Sequence, residues 1–325
     1  MLYDLIIIGG GPAGVASAVY AARKRLKTLL IVEAFGGQSI TSADIQNWIG
    51  EPHISGFDLA KKFEDHVQAY KDIIDIQTSE KAVTVRKLNC VKETGVCDFE
   101  VMTDKNVTYQ GKAVVLASGA RRKKLNVPGE TEFDGKGVVY CSTCDAPLFP
   151  GKTVAVVGGG NAGLEAVVDL LPYAKKIYLL EYSATLKGDP VTEETIKKDR
   201  KVEIIFNAQI KTITGMQFVN GLTYIDRLTA SEKKIDLEGV FVEIGSSPNS
   251  EIVKGLVELD RYGQVLIDSK HATTSCPGIF AAGDVTDDPY KQNNISAGDA
   301  VKATLAAYAY LLKRREGDSS HTNVI

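Results

Sequence analysis

The sequence predicts an α/β protein built on two Rossmann-like domains, and three observations carry that prediction. A unit of strand, glycine-rich turn, helix, strand and acidic residue stands at the N-terminus. The same unit recurs 149 residues further on, from Gly9 to Gly158. The chain has 325 residues, long for a single core, and its 44% hydrophobic and 24% charged residues are those of an ordinary globular protein.

The first unit begins with a strand from Asp4 to Ile8, apolar enough to be buried on both faces, which runs into Gly9-Gly10-Gly11-Pro12-Ala13-Gly14. A helix follows through Ala22, then a strand from Thr28 to Val32 ending at Glu33. Glycines in a G-x-G-x-x-G permit a tight turn and let backbone approach a pyrophosphate at the helix N-terminus. Glu33, 19 residues past Gly14, is placed to accept hydrogen bonds from ribose hydroxyls. The motif alone is weak; the whole unit points to a dinucleotide site.

A loop-like stretch spans Gly36 to Gly56, with Trp48 expected to pack rather than to touch a ligand. Phe57, Ala60, Phe63, Val67 and Tyr70 then recur at helical spacing, and His66 beside them reads as a structural histidine. Short alternating segments from Ile74 to Val107 suggest an antiparallel insert, and Ala113 to Ala117 another buried strand closed by Ser118-Gly119.

After Pro128-Gly129 the second unit starts: Cys141-Ser142-Thr143-Cys144-Asp145, a strand from Val154 to Val157, and Gly158-Gly159-Gly160-Asn161-Ala162-Gly163. A helix through Leu171 and a strand from Ile177 to Leu180 lead to Glu181, 18 residues past Gly163. Strand-like runs at 202–206, 210–216, 222–228 and 239–245 complete the unit. Beyond Pro248 the chain passes through Ala281-Ala282-Gly283-Asp284 to a final helix from about Ser296 to Arg314, with a polar tail expected from Glu316.

Composition excludes several function classes. A net charge of −3 and the lack of long basic runs give no reason to expect nucleic acid, and the short Arg121-Arg122-Lys123-Lys124 cluster reads as solvated surface. No apolar run reaches 18 residues, and Leu5-Ile6-Ile7-Ile8 reads as a strand rather than a signal peptide. The five cysteines, Cys90, Cys97, Cys141, Cys144 and Cys276, are an odd number, which favours a reducing cytoplasm. Cys90 and Cys97 read as structural and Cys276 as buried. The pair Cys141-x-x-Cys144 is either a redox dithiol or a zinc half-site, and no second Cys or His pair stands at useful spacing to complete a metal site.

Two dinucleotide units, Cys141-x-x-Cys144-Asp145 and the late Ala-Ala-Gly-Asp together resemble the low-molecular-weight thioredoxin reductases over nearly the whole chain. The resemblance implies a three-layer ββα fold in which a nicotinamide domain, 118–245, is inserted into an FAD domain made of 1–117 and 246–315, with 316–325 a disordered tail. It implies FAD contacts at Gly9, Gly11, Pro12, Ala13, Gly14, Glu33, Gly37, Gln38, Asn47, Ala117, Gly119, Gly283, Asp284, Lys291 and Gln292. NADH or NADPH would meet Gly158, Gly160, Asn161, Ala162, Gly163, Glu181 and Gly245. Cys144 would face the flavin, Cys141 would attack the partner disulfide, and Asp145 would serve as acid and base. Family members alternate between their two tasks by a domain rotation, here pivoting near Gly119 and Gly245. A homodimer is implied as well.

Two features set this chain apart from NADPH-dependent members. Where those carry a His-Arg-Arg cluster, this chain has Glu181-Tyr182-Ser183-Ala184-Thr185, and a carboxylate beside a 2′-phosphate is repulsive, so NADH is expected. The segments around Cys144–Phe149, Glu181–Asp189 and Pro289–Gln292 also resemble the reductase core of the alkyl hydroperoxide reductase flavoprotein subunit. That subunit carries its own N-terminal dithiol region, whereas this sequence starts at the first strand, so a separate thioredoxin- or glutaredoxin-like partner is expected. The competing functions are a flavoprotein reduced by ferredoxin, a redox sensor that uses no nicotinamide, and an NADH oxidase feeding a peroxiredoxin system.

Overall fold

The computed structural model describes residues 1–42, 44–91 and 95–320, the last six as backbone only. The chain begins β1 (Leu2–Ile8), α1 (Pro12–Arg23), β2 (Thr28–Val32), α2 (Gly56–Gln68), β3 (Ile74–Thr78), β4 (Ala82–Leu88), β5 (Asp98–Thr103), β6 (Thr108–Leu116) and β7 (Ala120–Arg122). It continues with β8 (Val138–Val139), α3 (Ser142–Asp145), β9 (Thr153–Val157), α4 (Asn161–Leu170), β10 (Lys176–Leu180), α5 (Pro190–Lys198), β11 (Val202–Ile205), β12 (Ala208–Gly215), β13 (Val219–Asp226), β14 (Ser231–Asp236) and β15 (Gly239–Val242). Last come β16 (Ser246–Pro248), β17 (Ile279–Ala281) and α6 (Asn293–Ser320). Two compact units result, one from Met1–Arg121 and the chain from Ser247 onward, the other from Arg122–Ser246.

The sheet of the first unit runs β3-β2-β1-β6-β5-β4, with β17 beside the distal part of β6. β1, β2, β3, β6 and β17 are parallel, and β4 and β5 close one end as an antiparallel pair. Side chains alternate across a strand, so β1 serves two cores. Leu5 and Ile7 pack with residues of α1, α2 and α6, while Ile6 and Ile8 pack on the other side with Ala82, Phe99 and Val101. That alternation accounts for the unbroken apolar run in the sequence.

The second unit repeats the scheme on a parallel sheet ordered β11-β10-β9-β15-β8. Val154 and Val156 of β9 face α4, and Ala155 and Val157 face the three-stranded antiparallel sheet β12-β13-β14. The second unit is thus a parallel sheet between helices and a smaller β layer, and both units are of the α/β class the glycine units predict.

Several local expectations change. β3 is parallel to β2 rather than part of an antiparallel insert, because α2 supplies the crossover that parallel pairing requires. Phe57 on α2 is 69% exposed, since the buried stripe is Leu59, Ala60, Phe63 and Val67. His66 is exposed beside Tyr70, with ring centroids 6.1 Å apart. Trp48 packs edge-on against Phe63 at 5.4 Å, as a packing residue should. Helix α6 runs on to Ser320, so 316–320 are helical where a disordered tail is expected. Arg314 anchors the preceding turn by bonding the Asp98 carboxylate at 2.6 Å and the Cys97 and Lys112 carbonyls, and Lys313 to Glu316 are good helix formers. Residues 321–325 of the expected tail lie outside those described. Among the described residues no helix is long and apolar enough to cross a membrane.

Cys90 and Cys97, read from the sequence as two structural thiols, form a disulfide across the β4–β5 turn. Their spacing alone gave no reason to pair them; the antiparallel strands bring them together, with Leu88 opposite Asp98. Cys276 is a free, buried thiol, as expected.

Candidate active site

The first glycine turn links β1 to α1. Gly9 has φ +126°, and a Cβ there would lie 2.1 Å from the Ala117 carbonyl oxygen at the end of β6; one on Gly14 would lie 1.8 Å from the Gly9 carbonyl oxygen. Glycine is therefore obligatory at both positions if the helix is to sit this close to the strand ends. Above the turn lies a cleft of about 320 Å³. Gly9, Gly11, Pro12, Ala13, Glu33, Gly37, Gln38, Ala117, Gly119, Gly283 and Asp284 all line it. These predicted residues come from five separate stretches of chain.

The predicted residues Gly14, Asn47, Lys291 and Gln292 do not line that cleft. Gly14 is spent on packing the helix against Gly9. Asn47 and Gln292 do meet, the Asn47 amide donating to Gln292 Oε1 at 3.2 Å, and Asn294 Nδ2 donates to the Asn47 carbonyl at 2.7 Å. Lys291 turns inward instead: its Nζ donates to the Thr286 carbonyl at 2.7 Å, and burial holds its pKa below the usual lysine range against the pull of Asp284 and its neighbours.

Sequence reasoning missed other residues of the wall, among them Ser39, Asn249, Asn293 and Ser296. Ser39 Oγ donates to Asn293 Oδ1 at 2.9 Å, and Gln38 Nε2 donates to Asp284 Oδ2 at 3.0 Å, so the early loop is clasped to the start of α6. Asn249 donates to the Ser118 carbonyl at 2.7 Å, but its buried Oδ1 has no partner. An orphan acceptor on a cleft wall suits a ligand that brings a donor.

The second glycine turn has the same geometry. Gly158 has φ +116°, and a Cβ on Gly163 would lie 1.7 Å from the Gly158 carbonyl oxygen. Gly160, at the N-terminal end of α4, has open space where a side chain would be, and Asn161 and Ala162 are exposed beside it. Glu181 is only 8% exposed: Oε2 accepts the Gly159 N–H at 2.7 Å and Oε1 the Ser183 N–H at 2.8 Å. Its carboxylate thus braces the turn from the end of β10. The Arg227 guanidinium stacks on the Tyr182 ring at 3.9 Å and donates to the Tyr182 carbonyl at 3.0 Å. That cation, 45 residues away in sequence, was not foreseen. The predicted pivots both have left-handed backbones, Gly119 at φ +66° and Gly245 at φ +93°.

Cys141 and Cys144 form a disulfide at the N-terminal end of α3. The one-turn helix is fixed from below, since Ser142 Oγ and Thr143 Oγ1 both donate to Asp169 Oδ2 on α4, at 2.8 and 3.2 Å. The dithiol therefore rides on the helix that begins at the glycine turn. Asp145 follows it directly, and burial pushes its pKa up to about 7 although the Arg122 guanidinium pulls the other way. A carboxyl poised there can both give and accept a proton near neutrality. Of the two readings that spacing leaves open, the bonded sulfurs of Cys141-x-x-Cys144 accord with the redox pair. The Arg121–Lys124 cluster is largely neutralised: Arg121 pairs with Glu251, and Lys124 with Asp134 at 2.8 Å.

Comparison with known proteins agrees with this geometry. The family model described as pyridine nucleotide-disulphide oxidoreductase matches residues 3–306. The chain is 43% identical over 311 residues to an NADH dehydrogenase of Bacillus subtilis (strain 168) and 41% identical over 315 residues to the F subunit of alkyl hydroperoxide reductase from Escherichia coli (strain K12). Each match takes in 96% of this chain but 59% of the relative, so the chain spans little more than half the length of these proteins. Among solved structures, a thioredoxin reductase from Streptococcus pyogenes MGAS5005 matches with a TM-score of 0.87 at 32% identity, covering 96% of this chain and 99% of that one.

Proposed function

The chain belongs to the pyridine nucleotide-disulphide oxidoreductase family, and within it we propose that this protein passes electrons from NADH, through FAD, to the Cys141–Cys144 disulfide and on to a thioredoxin- or glutaredoxin-like protein. The observation that carries the reading is the disulfide itself, clamped by Asp169 onto the helix of the second glycine turn and followed by a carboxyl that titrates near neutrality.

The residues present fit both cofactors. The first cleft has a turn too tight for any side chain at Gly9 or Gly14, and an unpartnered acceptor on Asn249. These features support FAD there, with Glu33 for ribose hydroxyls and the N-terminus of α1 for the pyrophosphate. The open space at Gly160 supports the nicotinamide dinucleotide at the second turn. FAD, when bound, supplies the two-electron relay between nicotinamide and dithiol.

The remaining chemistry belongs to the chain. Two electrons and one proton, together the equivalent of the hydride that NADH gives up, open the Cys141–Cys144 bond and leave a thiol and a thiolate. Cys141 attacks the partner disulfide, giving a mixed disulfide and a partner thiolate. Cys144 then attacks Cys141, re-forming the internal bond and releasing the second partner sulfur. Asp145 takes the Cys144 proton as that sulfur becomes nucleophilic and returns it to the departing thiolate.

What favours NADH over NADPH is the acid at the end of β10, Glu181, followed by residues 182–186 without a Lys or Arg to meet a 2′-phosphate. Folding does bring the Arg227 guanidinium over Tyr182 at this edge. The decisive experiment is trapping: holoenzyme carrying Cys144→Ser should hold an oxidised redoxin through Cys141 as a mixed disulfide, and NADH added anaerobically to wild type should bleach the flavin absorbance. Bleaching without any disulfide-reductase activity, surviving replacement of both cysteines by Ser, would instead make the protein an oxidase. A higher kcat/KM with NADPH than with NADH would reverse the cofactor assignment.

A further inference from the structure

Helix α3 is a single turn of four residues, too short to persist on its own bonds, so what keeps the dithiol in place has to come largely from outside it. From within, the turn is closed by the Asp145 N–H, which donates to the Cys141 carbonyl at 3.0 Å. From α4 it is held by Asp169. Ser142 and Thr143 are the two residues that separate the sulfurs, and both hydroxyls donate to one and the same atom, Asp169 Oδ2, at 2.8 and 3.2 Å. Ser142 is buried at this contact and Thr143 is exposed, so the bonds reach the turn from its inner side to its rim. Hydrogen bonds to a carboxylate are about twice as strong as those between neutral groups, which suits a single acceptor that has to hold two residues. The sulfurs themselves are joined, with their Cα atoms 5.3 Å apart.

We propose, on the disulfide-reductase reading given above, that Asp169 is a positioning residue that sets the reduction potential of the Cys141–Cys144 pair. Opening the bond takes two electrons and one proton and leaves a thiol and a thiolate; Asp169 neither gains nor loses a proton in that step. Its part is geometric. With both intervening residues tied to one oxygen, the two sulfurs of the reduced pair stay facing each other, and the high effective concentration of one for the other favours re-forming the bond. Without the tie a lone helical turn frays, the sulfurs drift apart and the reduced form gains freedom. The anchor therefore makes the disulfide harder to reduce and the dithiol, once formed, the stronger reductant. That difference is driving force for passing electrons on to a redoxin. Because α4 begins at the second glycine turn, the helix that starts at the nucleotide site also fixes the potential of the pair.

The test reads an equilibrium rather than turnover. Holoenzyme without nicotinamide is equilibrated anaerobically in buffers of reduced and oxidised dithiothreitol, quenched in acid and alkylated, and the fraction of Cys141 and Cys144 still bonded is read by mass spectrometry. Asp169→Ala should make the pair about tenfold easier to reduce, a rise in potential of about 30 mV. Asp169→Asn, which keeps an acceptor of the same shape, should return most of the wild-type value. Ser142→Ala combined with Thr143→Val leaves Asp169 in place and removes the donors; it should reproduce the shift of Asp169→Ala, and adding Asp169→Ala to it should shift the potential no further. That pair of substitutions carries the test if Asp169→Ala does not fold. Coincident curves for wild type and the variants would overturn the proposal. So would an Asn variant shifted as far as Ala, which would assign the effect to charge, or additive shifts in the combined variant, which would assign it to contacts other than these two bonds. If wild type fails to reduce a redoxin with NADH, the disulfide-reductase reading falls, while the dithiothreitol equilibrium still reports on Asp169.

Discussion

Replacing Glu243 by Gln should stabilise the protein at alkaline pH and leave it unchanged at acid pH. The folded pKa is raised to about 7 from the ordinary glutamate value of 4.5. Between those two values the folded state holds a proton that the unfolded chain has released, so stability falls as pH rises through that window. Above it the wild type carries the full penalty of a buried charge. A gap of about 2.5 units at 1.36 kcal/mol each sets that penalty at roughly 3 kcal/mol, an upper bound because neighbouring acids share in the shift. Gln has nearly the same shape and never ionises. Urea unfolding followed by far-UV circular dichroism at pH 5 and pH 8.5 measures the difference. The two proteins should have matching midpoints at pH 5, and at pH 8.5 the variant midpoint should lie higher by about 1 M urea. A difference of the same size at both pH values, or a variant less stable at pH 8.5, would refute the argument that desolvation dominates at this site.

Gly160→Ala should leave the fold intact, since nothing lies within 4 Å of the added methyl, yet slow flavin reduction by NADH at least tenfold because it fills the space a pyrophosphate needs; circular dichroism and anaerobic stopped flow separate the two effects. Gly163→Ala, whose methyl would lie 1.7 Å from the Gly158 carbonyl oxygen, should lose both, with a lowered thermal midpoint. Arg314→Ala strips the ion-pair partner from Asp98, whose side chain is 12% exposed, and should cost about 3 kcal/mol in chemical denaturation. Asp145→Asn removes the proton acceptor for Cys144, so disulfide exchange should slow by about 10²-fold while anaerobic flavin reduction by NADH keeps its rate; loss of both steps together would count against its assigned role.

The repeated strand, glycine turn, helix, strand and acid made the α/β class and the two nucleotide turns legible, because each motif residue answers a local requirement. Gly9, Gly14, Gly158 and Gly163 are fixed by contacts within a single β-turn-α segment, and a local requirement can be read locally. The Cys-x-x-Cys spacing likewise already places both sulfurs at one end of a single helical turn. The residues that were missed have their reasons elsewhere in the chain. Asn249 reaches the first cleft because it bonds Ser118, 131 residues away, and Asn293 because it accepts a bond from Ser39, 254 residues away.

The sequence by itself determined the class of fold and the two glycine turns, and it marked Cys141 and Cys144 as a pair without deciding between a dithiol and half of a metal site. Only tertiary structure decided which charges surround that pair. Asp169 holds it from α4, Arg122 of β7 acts on the Asp145 carboxyl beside it, and Cys90 meets Cys97 across a hairpin. The physical reason is that a carboxyl acquires a neutral pKa from burial and from neighbours in space. No spacing rule in the chain records either of them.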